Sequence, residues 1–350
     1  MTLKYFTAAN SAAGYVSFQN ENLIGITKIF YLNNPEPQLV SRLLEDVLPV
    51  LGKRKLQPEL IYSAFNPEYL EGIVIRELEI ALISGGETVP PDTQVLDLMT
   101  LYNMETIKKN QPEIDELCAN MNKSYQKMAM HMQAALLIHD EWESLYIDRM
   151  NFVKANAFGT AFLDSIFDGV IPVGNQEARV TSRFFGTSTP VGLTDFIPEL
   201  TAGLRRFLIK GRPGSGKSTL MRRVLARAVE LGYDADVYYC SLDPKSLDMV
   251  VIPELNFCIF DATPPHEYEP SFVSDTVIDT YAEFIAPDTD ERLAGVIQSI
   301  EIKYNNQIRQ ARAAMKVGHE SRAAMSKLYC EALMLAQYDD ILVTLTDCLK

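Results

Sequence analysis

The chain has 350 residues, 47% of them hydrophobic and 22% charged, with a formal net charge of −14 at neutral pH. That composition belongs to a soluble globular protein with room for about two domains. It excludes a membrane-spanning helix, because no run of roughly 18 or more apolar residues occurs, and the acidic balance argues against nucleic acid or anionic lipid as a partner.

The first residues, MTLKYFTAANSAAGY, lack the basic region and long apolar segment of a secretory signal. Five scattered cysteines without a CxxC spacing predict reduced thiols in a cytoplasmic protein, not a disulfide frame or a zinc site. Residues 28–44, KIFYLNNPEPQLVSRLL, predict a strand, a proline-bearing turn and a helix. Farther on, Ile114, Leu117, Met121, Tyr125, Met128, Met132, Leu136 and His139 recur at spacings of three and four, a long amphipathic face within residues 112–155. Packing against other helices is the expected use of that face; the Met-rich stretch 121–132 could instead serve as an adaptable partner surface. Residues 156–183 change character and are expected to join two halves.

Residues 207–224, FLIKGRPGSGKSTLMRRV, carry the strongest chemical signal. GRPGSGKS fits the Walker A pattern, between an apolar strand at Phe207-Leu208-Ile209 and a helix marked by Leu220, Val224, Leu225, Ala228 and Leu231. Gly211, Gly214 and Gly216 allow torsions that let successive backbone N–H groups converge on one anion, and the helix N-terminus adds its partial positive charge. Gly211, Arg212, Pro213, Gly214, Ser215, Gly216, Lys217, Ser218 and Thr219 are therefore the candidate phosphate cradle, with Lys217 reaching the β- and γ-phosphates and Ser218 offering its hydroxyl to Mg²⁺.

A strand at residues 236–240 follows, then SLDPKSLD, MVVIPEL and NFCIFD. The last is an apolar run ending in Asp261, the form of a Walker B strand whose carboxylate holds a Mg²⁺-bound water; strand-end capping is the bland alternative. Asp243 is a candidate for orienting the nucleophile, although Asp-Pro is also an ordinary turn starter; Asp248 and Glu254 lie nearby. His266, in TPPHEYEP, reads as a surface residue or hydrogen-bond anchor sooner than as a catalyst. Residues 288–338 repeat the long amphipathic pattern through Leu293, Ile297, Ile300, Tyr304, Ile308, Ala311 and Met315.

Laid on its own middle, the chain matches itself. Phe6, Gly14, Phe18, Glu21, Gly25 and Pro35 fall on Phe184, Gly192, Phe196, Glu199, Gly203 and Pro213. After a one-residue adjustment, Pro67, Leu70, Val74, Ile75, Glu77 and Leu78 fall on Pro244, Leu247, Val251, Ile252, Glu254 and Leu255. The chain is read as a tandem duplication. In that alignment LNNPEPQLVS lies on KGRPGSGKST, with the glycines, the lysine and the first hydroxyl lost, Glu36 opposite Gly214 and Ser84 opposite Asp261. A carboxylate near 4 Å from a phosphate charge costs about 4 kcal/mol at an effective dielectric of about 20, so the first half is expected to keep the fold without the nucleotide.

GRPGSGKS, CSLDPKSLD, IPEL and DATPPH together resemble a bacterial family of double P-loop ATPases, also described as nucleotide-kinase-like. The resemblance covers both halves and implies ATP binding; this chain departs from it at the first loop. The expected architecture is α/β, with tandem P-loop NTPase-like halves at 1–155 and 184–350 joined by 156–183. Each half is a mostly parallel sheet with helices plus a long helical extension. The expected function is a Mg²⁺-dependent ATPase with one nucleotide site, using Lys217, Asp261 and Asp243, with Mg²⁺ on Ser218 and Asp261. A small-molecule or nucleotide kinase and a nucleotide-gated binding module are the alternatives, and the helical extensions could serve a homo-oligomer or a protein partner.

Overall fold

A computed structural model describes residues 2–86, 89–174, 177–190, 192–334 and 337–349. The first half supplies β1 (Leu3–Tyr5), the hairpin β2 (Ala8–Ser11) and β3 (Gly14–Ser17), the single turn α1 (Gln19–Asn22), β4 (Lys28–Asn33) and α2 (Pro37–Lys53). It continues with β5 (Glu59–Tyr62), β6 (Leu70–Ile75), β7 (Ile80–Ile83), β8 (Gln94–Asp97) and the long helix α3 (Met104–Ile147). After α4 (Phe152–Ile166) the second half runs through β9 (Val180–Arg183), the hairpin β10 (Gly186–Thr189) and β11 (Gly192–Asp195), α5 (Ile197–Leu200), β12 (Arg205–Lys210) and α6 (Lys217–Glu230). Then come β13 (Ala235–Tyr239), β14 (Leu247–Ile252), β15 (Phe257–Asp261), β16 (Thr276–Asp279), α7 (Thr280–Phe284), α8 (Thr289–Ala332) and α9 (Tyr338–Asp347).

The duplication is written into the topology. Two six-stranded sheets have the orders β1-β5-β6-β7-β4-β8 and β9-β13-β14-β15-β12-β16, equivalent strand for strand. In each, among the described residues, the only antiparallel pairs are those made by the central meander, β5-β6-β7 or β13-β14-β15. Even the irregularities repeat: the register shifts at Ile61/Tyr62 and again at Tyr238/Tyr239. Both second hairpins close through a left-handed residue, Glu79 at φ 53° and Asn256 at φ 55°. Strands such as β12, with Phe207, Leu208 and Ile209 all buried, read as continuous apolar runs because helices or the other half cover both faces.

The register corrects the sequence alignment at one point. Phe30 and Phe207, each opposite the first residue of its edge strand, occupy equivalent positions, so the one-residue adjustment falls before β4 and not after the loop. Ser41 then corresponds to Ser218, and the helices prove it: Leu70 N donates to Ser41 Oγ at 2.9 Å and Leu247 N donates to Ser218 Oγ at 3.2 Å. The hydroxyl is therefore retained in the first half. Glu36 corresponds to Pro213, not Gly214, and α2 begins a turn earlier than α6, filling with helix the space that the second half gives to loop.

The halves meet where Phe6 and Phe184 exchange backbone hydrogen bonds at 3.0 and 2.9 Å, inside an aromatic core to which both contribute. Arg183 is buried there, with ion pairs to Glu59 of the first half at 3.1 Å and to Asp236 at 3.0 Å. Removing one partner of such a set leaves an uncompensated buried charge, so it fixes how the halves face each other.

The long helices, each of 44 residues and so about 66 Å in length, pair antiparallel. Asn103 N donates to Ala332 O at 2.7 Å at one end, and Ala286 N to Arg149 O at 3.0 Å at the other. Met128 and Met132 are buried against Ala311, Ala314 and Met315, so much of the Met-rich face is used in this pairing. Each helix thus starts on its own half and ends over the other. The segment after it goes further. In α4, Phe158 and Phe162 pack on Phe284 and Phe207 of the second half, while Tyr338, Leu345 and Leu349, in and after α9, join the core around α2. Residues 156–183 are accordingly more than a connector: α4 and the edge strand β9 build the second half.

Leu345 is fully buried in the first half's core. Leu345→Ala is expected to lower stability by about 2–5 kcal/mol, read from the denaturant midpoint at constant slope. An unaltered midpoint would contradict the packing of the C-terminal helix on the first half.

Candidate functional site

The residues that the sequence singles out converge at the carboxyl ends of β12 and β15. These strands are adjacent and parallel, with Ile209 opposite Asp261, so the loop 211–216 leaves β12 beside that carboxylate. Lys217 Nζ lies 3.6 Å from Asp261 Oδ2 and donates to the Arg212 carbonyl at 2.9 Å. Asp261 Oδ1 accepts from Thr263 N at 3.0 Å and from Thr263 Oγ1 at 2.5 Å. One carboxylate oxygen is thus fixed by its own loop while the other faces the ammonium.

The loop's shape follows from its sequence. Ser215 Oγ donates to the Arg212 carbonyl at 2.7 Å and lies 2.7 Å from Thr280 Oγ1, which in turn donates to Lys210 O at 3.0 Å. This clamp leaves no room for a Cβ at Gly211. Gly214, at φ +70°, passes so close to α3 that a Cβ would fall 2.5 Å from the Glu143 carbonyl oxygen. Arg212 turns away from the loop's interior, stacking on Tyr281 at 5.3 Å and pairing with Asp290 of α8 at 2.8 Å. Tyr146 of α3 donates to the same Asp290 at 2.8 Å.

What the loop leaves unused matters most. Helix α6 has Gly216 as its N-cap, with no side-chain hydrogen bond to its first turn. Among the described residues, the amides of Gly214, Gly216, Lys217, Ser218 and Thr219 donate to no protein acceptor. The first half treats the same place oppositely. There the Glu36 carboxylate, almost fully buried, accepts from Gln38 N at 3.0 Å, and Asn34 Oδ1 accepts from Glu36 N at 2.6 Å. An internal anion satisfies one helix terminus; the other presents its donors to a cavity.

That cavity measures about 1420 Å³ and is walled by the loop, both long helices, the β10–β11 hairpin and the segment after β15. From α3 it receives His139, Trp142 and Tyr146, contributed by the first half's sequence. His139 is held below its ordinary pKa by burial, which with the Lys217 charge outweighs the opposing pull of Glu143. His139, Asp140 and Glu143 bring ligand atoms within 4.8 Å of one another, a set the sequence reading did not single out.

Asp243 also lines the cavity, but its carboxylate accepts from Lys245 N at 3.1 Å in a turn. The equivalent Asn66 does the same with Glu68 N at 3.1 Å, so this side chain makes the turn in both halves, as an Asp-Pro turn starter does. Asp248 is the better-placed carboxyl. It sits on β14 beside Asp261, and burial first, then the Asp261 charge, pushes it up to about 7. His266 is buried, not at the surface, with Nδ1 2.9 Å from Asp195 Oδ2. Asp195 lies far away in sequence, and only the position of β11 brings it to the site.

No protein-family model, curated protein or solved structure matches the chain. Among the described residues, no helix is long and apolar enough to cross a membrane, and the five cysteines are unpaired.

Glu71, the first half's counterpart of Asp248, is likewise pushed up to about 7, chiefly by burial, with Arg322 opposing. The folded state therefore holds a proton that the unfolded chain releases above its ordinary value near 4.5. Stability contributed by the neutral carboxyl is full below that value and is lost as pH rises through about 7. Glu71→Gln is expected to flatten this fall in urea titrations between those limits; a pH dependence identical to wild type would contradict it.

Proposed function

We propose that the second half binds a nucleoside triphosphate with Mg²⁺ through loop 211–219, as a P-loop NTPase-like unit, and that the protein hydrolyses ATP at this single site. The observation that carries the reading is the contrast between the two helix termini: backbone donors of α6 turned to a cavity, against a Glu36-capped α2. Converging amides at a helix N-terminus, with one lysine alongside, match the charge and shape of a polyphosphate.

Each residue then has a task. The amides of Gly214, Gly216, Lys217, Ser218 and Thr219 hold phosphate oxygens, and Lys217 moves its ammonium from Asp261 to the β/γ-phosphates. Gly211 and Gly214 keep the loop thin where Thr280 and α3 press on it. The donor set fits Mg²⁺: among the described residues Ser218 Oγ accepts only one protein hydrogen bond, and Asp261 Oδ2 is the carboxylate oxygen not tied to Thr263. When bound there, the ion neutralises charge on the transferring group. The first half works as scaffold, closing the cavity with α3.

A second reading, transfer of the phosphoryl group to a small hydroxyl-bearing molecule, draws on the cavity's size. At about 1420 Å³ it exceeds the roughly 300–1,000 Å³ of a site for one small molecule.

Titration calorimetry with Mg²⁺-ATP is expected to give one site per chain, and Lys217→Ala to weaken it about 10- to 100-fold, as loss of a charged hydrogen bond does. Two sites per chain, or unchanged affinity in the variant, would contradict the reading.

A further inference from the structure

We propose that His266 and Asp195 form the proton-handling pair of this site, His266 Nε2 taking the proton of the oxygen nucleophile and Asp195 acting as the positioning residue. The inference rests on the nucleotide reading above and adds the group that handles the nucleophile.

Geometry fixes the tautomer. Asp195 receives three hydrogen bonds: His266 Nδ1 at 2.9 Å, Tyr268 Oη at 2.6 Å and Ile197 N at 3.2 Å. Burial by itself would raise this carboxyl, but the bonds from His266 and Tyr268 outweigh it and hold it below the ordinary value. An ionised carboxylate only accepts, so Nδ1 must carry the proton, and the neutral ring keeps its lone pair on Nε2. The ring is held further by the edge-on contact with Phe185 at 4.7 Å and by Gly186, where a Cβ would crowd it at 3.2 Å. Among the described residues Nε2 makes no hydrogen bond, and His266 lines the same cavity as Lys217 and Asp261.

The duplicated half supplies the control. Where a side chain serves the fold, both halves keep its role, as Ser41 and Ser218 or Asn66 and Asp243 do. Where the first half has Val40 for Lys217 and Ser84 for Asp261, it also has no histidine between Ser84 and β8, and Ser17 for Asp195, which keeps only the turn bond: Ser17 Oγ accepts from Gln19 N at 3.2 Å as Asp195 Oδ1 accepts from Ile197 N. Ser17 pairs with Ala8 as Asp195 pairs with Gly186, so the hairpin is intact without the acid. Both members of the pair are absent from the half that lacks the phosphate loop, and the strands they would anchor still form.

The step balances as follows. The nucleophile's oxygen forms a bond to the γ-phosphorus while the bond from that phosphorus to the β,γ-bridging oxygen breaks. The bond's electron pair leaves on ADP, and the nucleophile's proton passes to His266 Nε2.

The test uses the full chain and Mg²⁺-ATP, reading ADP formation with and without a pooled small-molecule cell extract, alongside calorimetric binding. His266→Asn keeps an N–H for Asp195 but deletes Nε2, so an anchoring role survives it and a proton-accepting role does not. The expected result is unchanged binding and thermal stability with turnover down about 100-fold or more. Asp195→Asn, which turns the ring to the other tautomer, is expected to match it. Wild type should show an acid limb in its rate profile that His266→Asn lacks; the groups facing the ring are Asp195 from β11, Asp248 from β14 and Tyr268. Wild-type turnover in His266→Asn would overturn this inference alone, and ATP binding without any ADP formation by the wild type would overturn it together with the phosphoryl-transfer part of the reading beneath it. Absence of ATP binding in the wild type would overturn the nucleotide reading beneath it as well.

Discussion

Everything in this molecule turns on the antiparallel pairing of α3 and α8. A pair of helices about 66 Å long cannot end where it began, so each starts against its own sheet and finishes over the loop of the other half. The second half's loop is consequently shaped by a helix that belongs to the first. Backbone of α3 at Glu143 sets the clearance at Gly214, and Tyr146 shares Asp290 with Arg212. The following helices seal the exchange, α4 on one core and α9 on the other. Neither half holds all the residues of its own interior, which gives a physical reason for a half without the glycine loop to be kept.

Within that frame the duplication separates fold from chemistry. Both copies need a hydroxyl at the start of the first long sheet-covering helix to accept from a strand amide, and both have it in Ser41 and Ser218. Both need an Asx turn before the meander and find it in Asn66 and Asp243. What differs is how the helix N-terminus is neutralised. The first half brings its own anion, Glu36, and extends the helix by a turn to hold it. The second half offers a glycine loop and one lysine, an arrangement that, among the described residues, leaves the donors of its helix terminus without a protein acceptor.

Much of this was legible in the sequence because the signals are local. The strand–loop–helix unit, the apolar run ending in Asp261 and the repeat itself follow from periodicity, glycine spacing and self-similarity, and β4, β12, β13 and β15 fall within a residue or two of their expected places. The register of the repeat through β4 and the loop is misread in the sequence because Pro35 and Pro213 coincide by chance; the strand pairing of Phe30 and Phe207 and the hydrogen bonds from Leu70 and Leu247 reveal that Ser41 answers Ser218. Nothing local marks Asp195, which reaches His266 through the placement of a hairpin, nor the crossing of α3 and α8, whose amphipathic faces are equally suited to several partners. Asp243 and Asp248 look alike in the sequence; burial beside Asp261 distinguishes them.

The most direct measurement is a crystal structure of the full chain with Mg²⁺ and a non-hydrolysable ATP analogue. The expected result is triphosphate density against the amides of residues 214–219, with the Lys217 ammonium drawn off Asp261 and Glu36 still capping α2. Density at the first half's helix terminus, or none over the second half's loop at saturating analogue, would contradict the division of labour between the two halves.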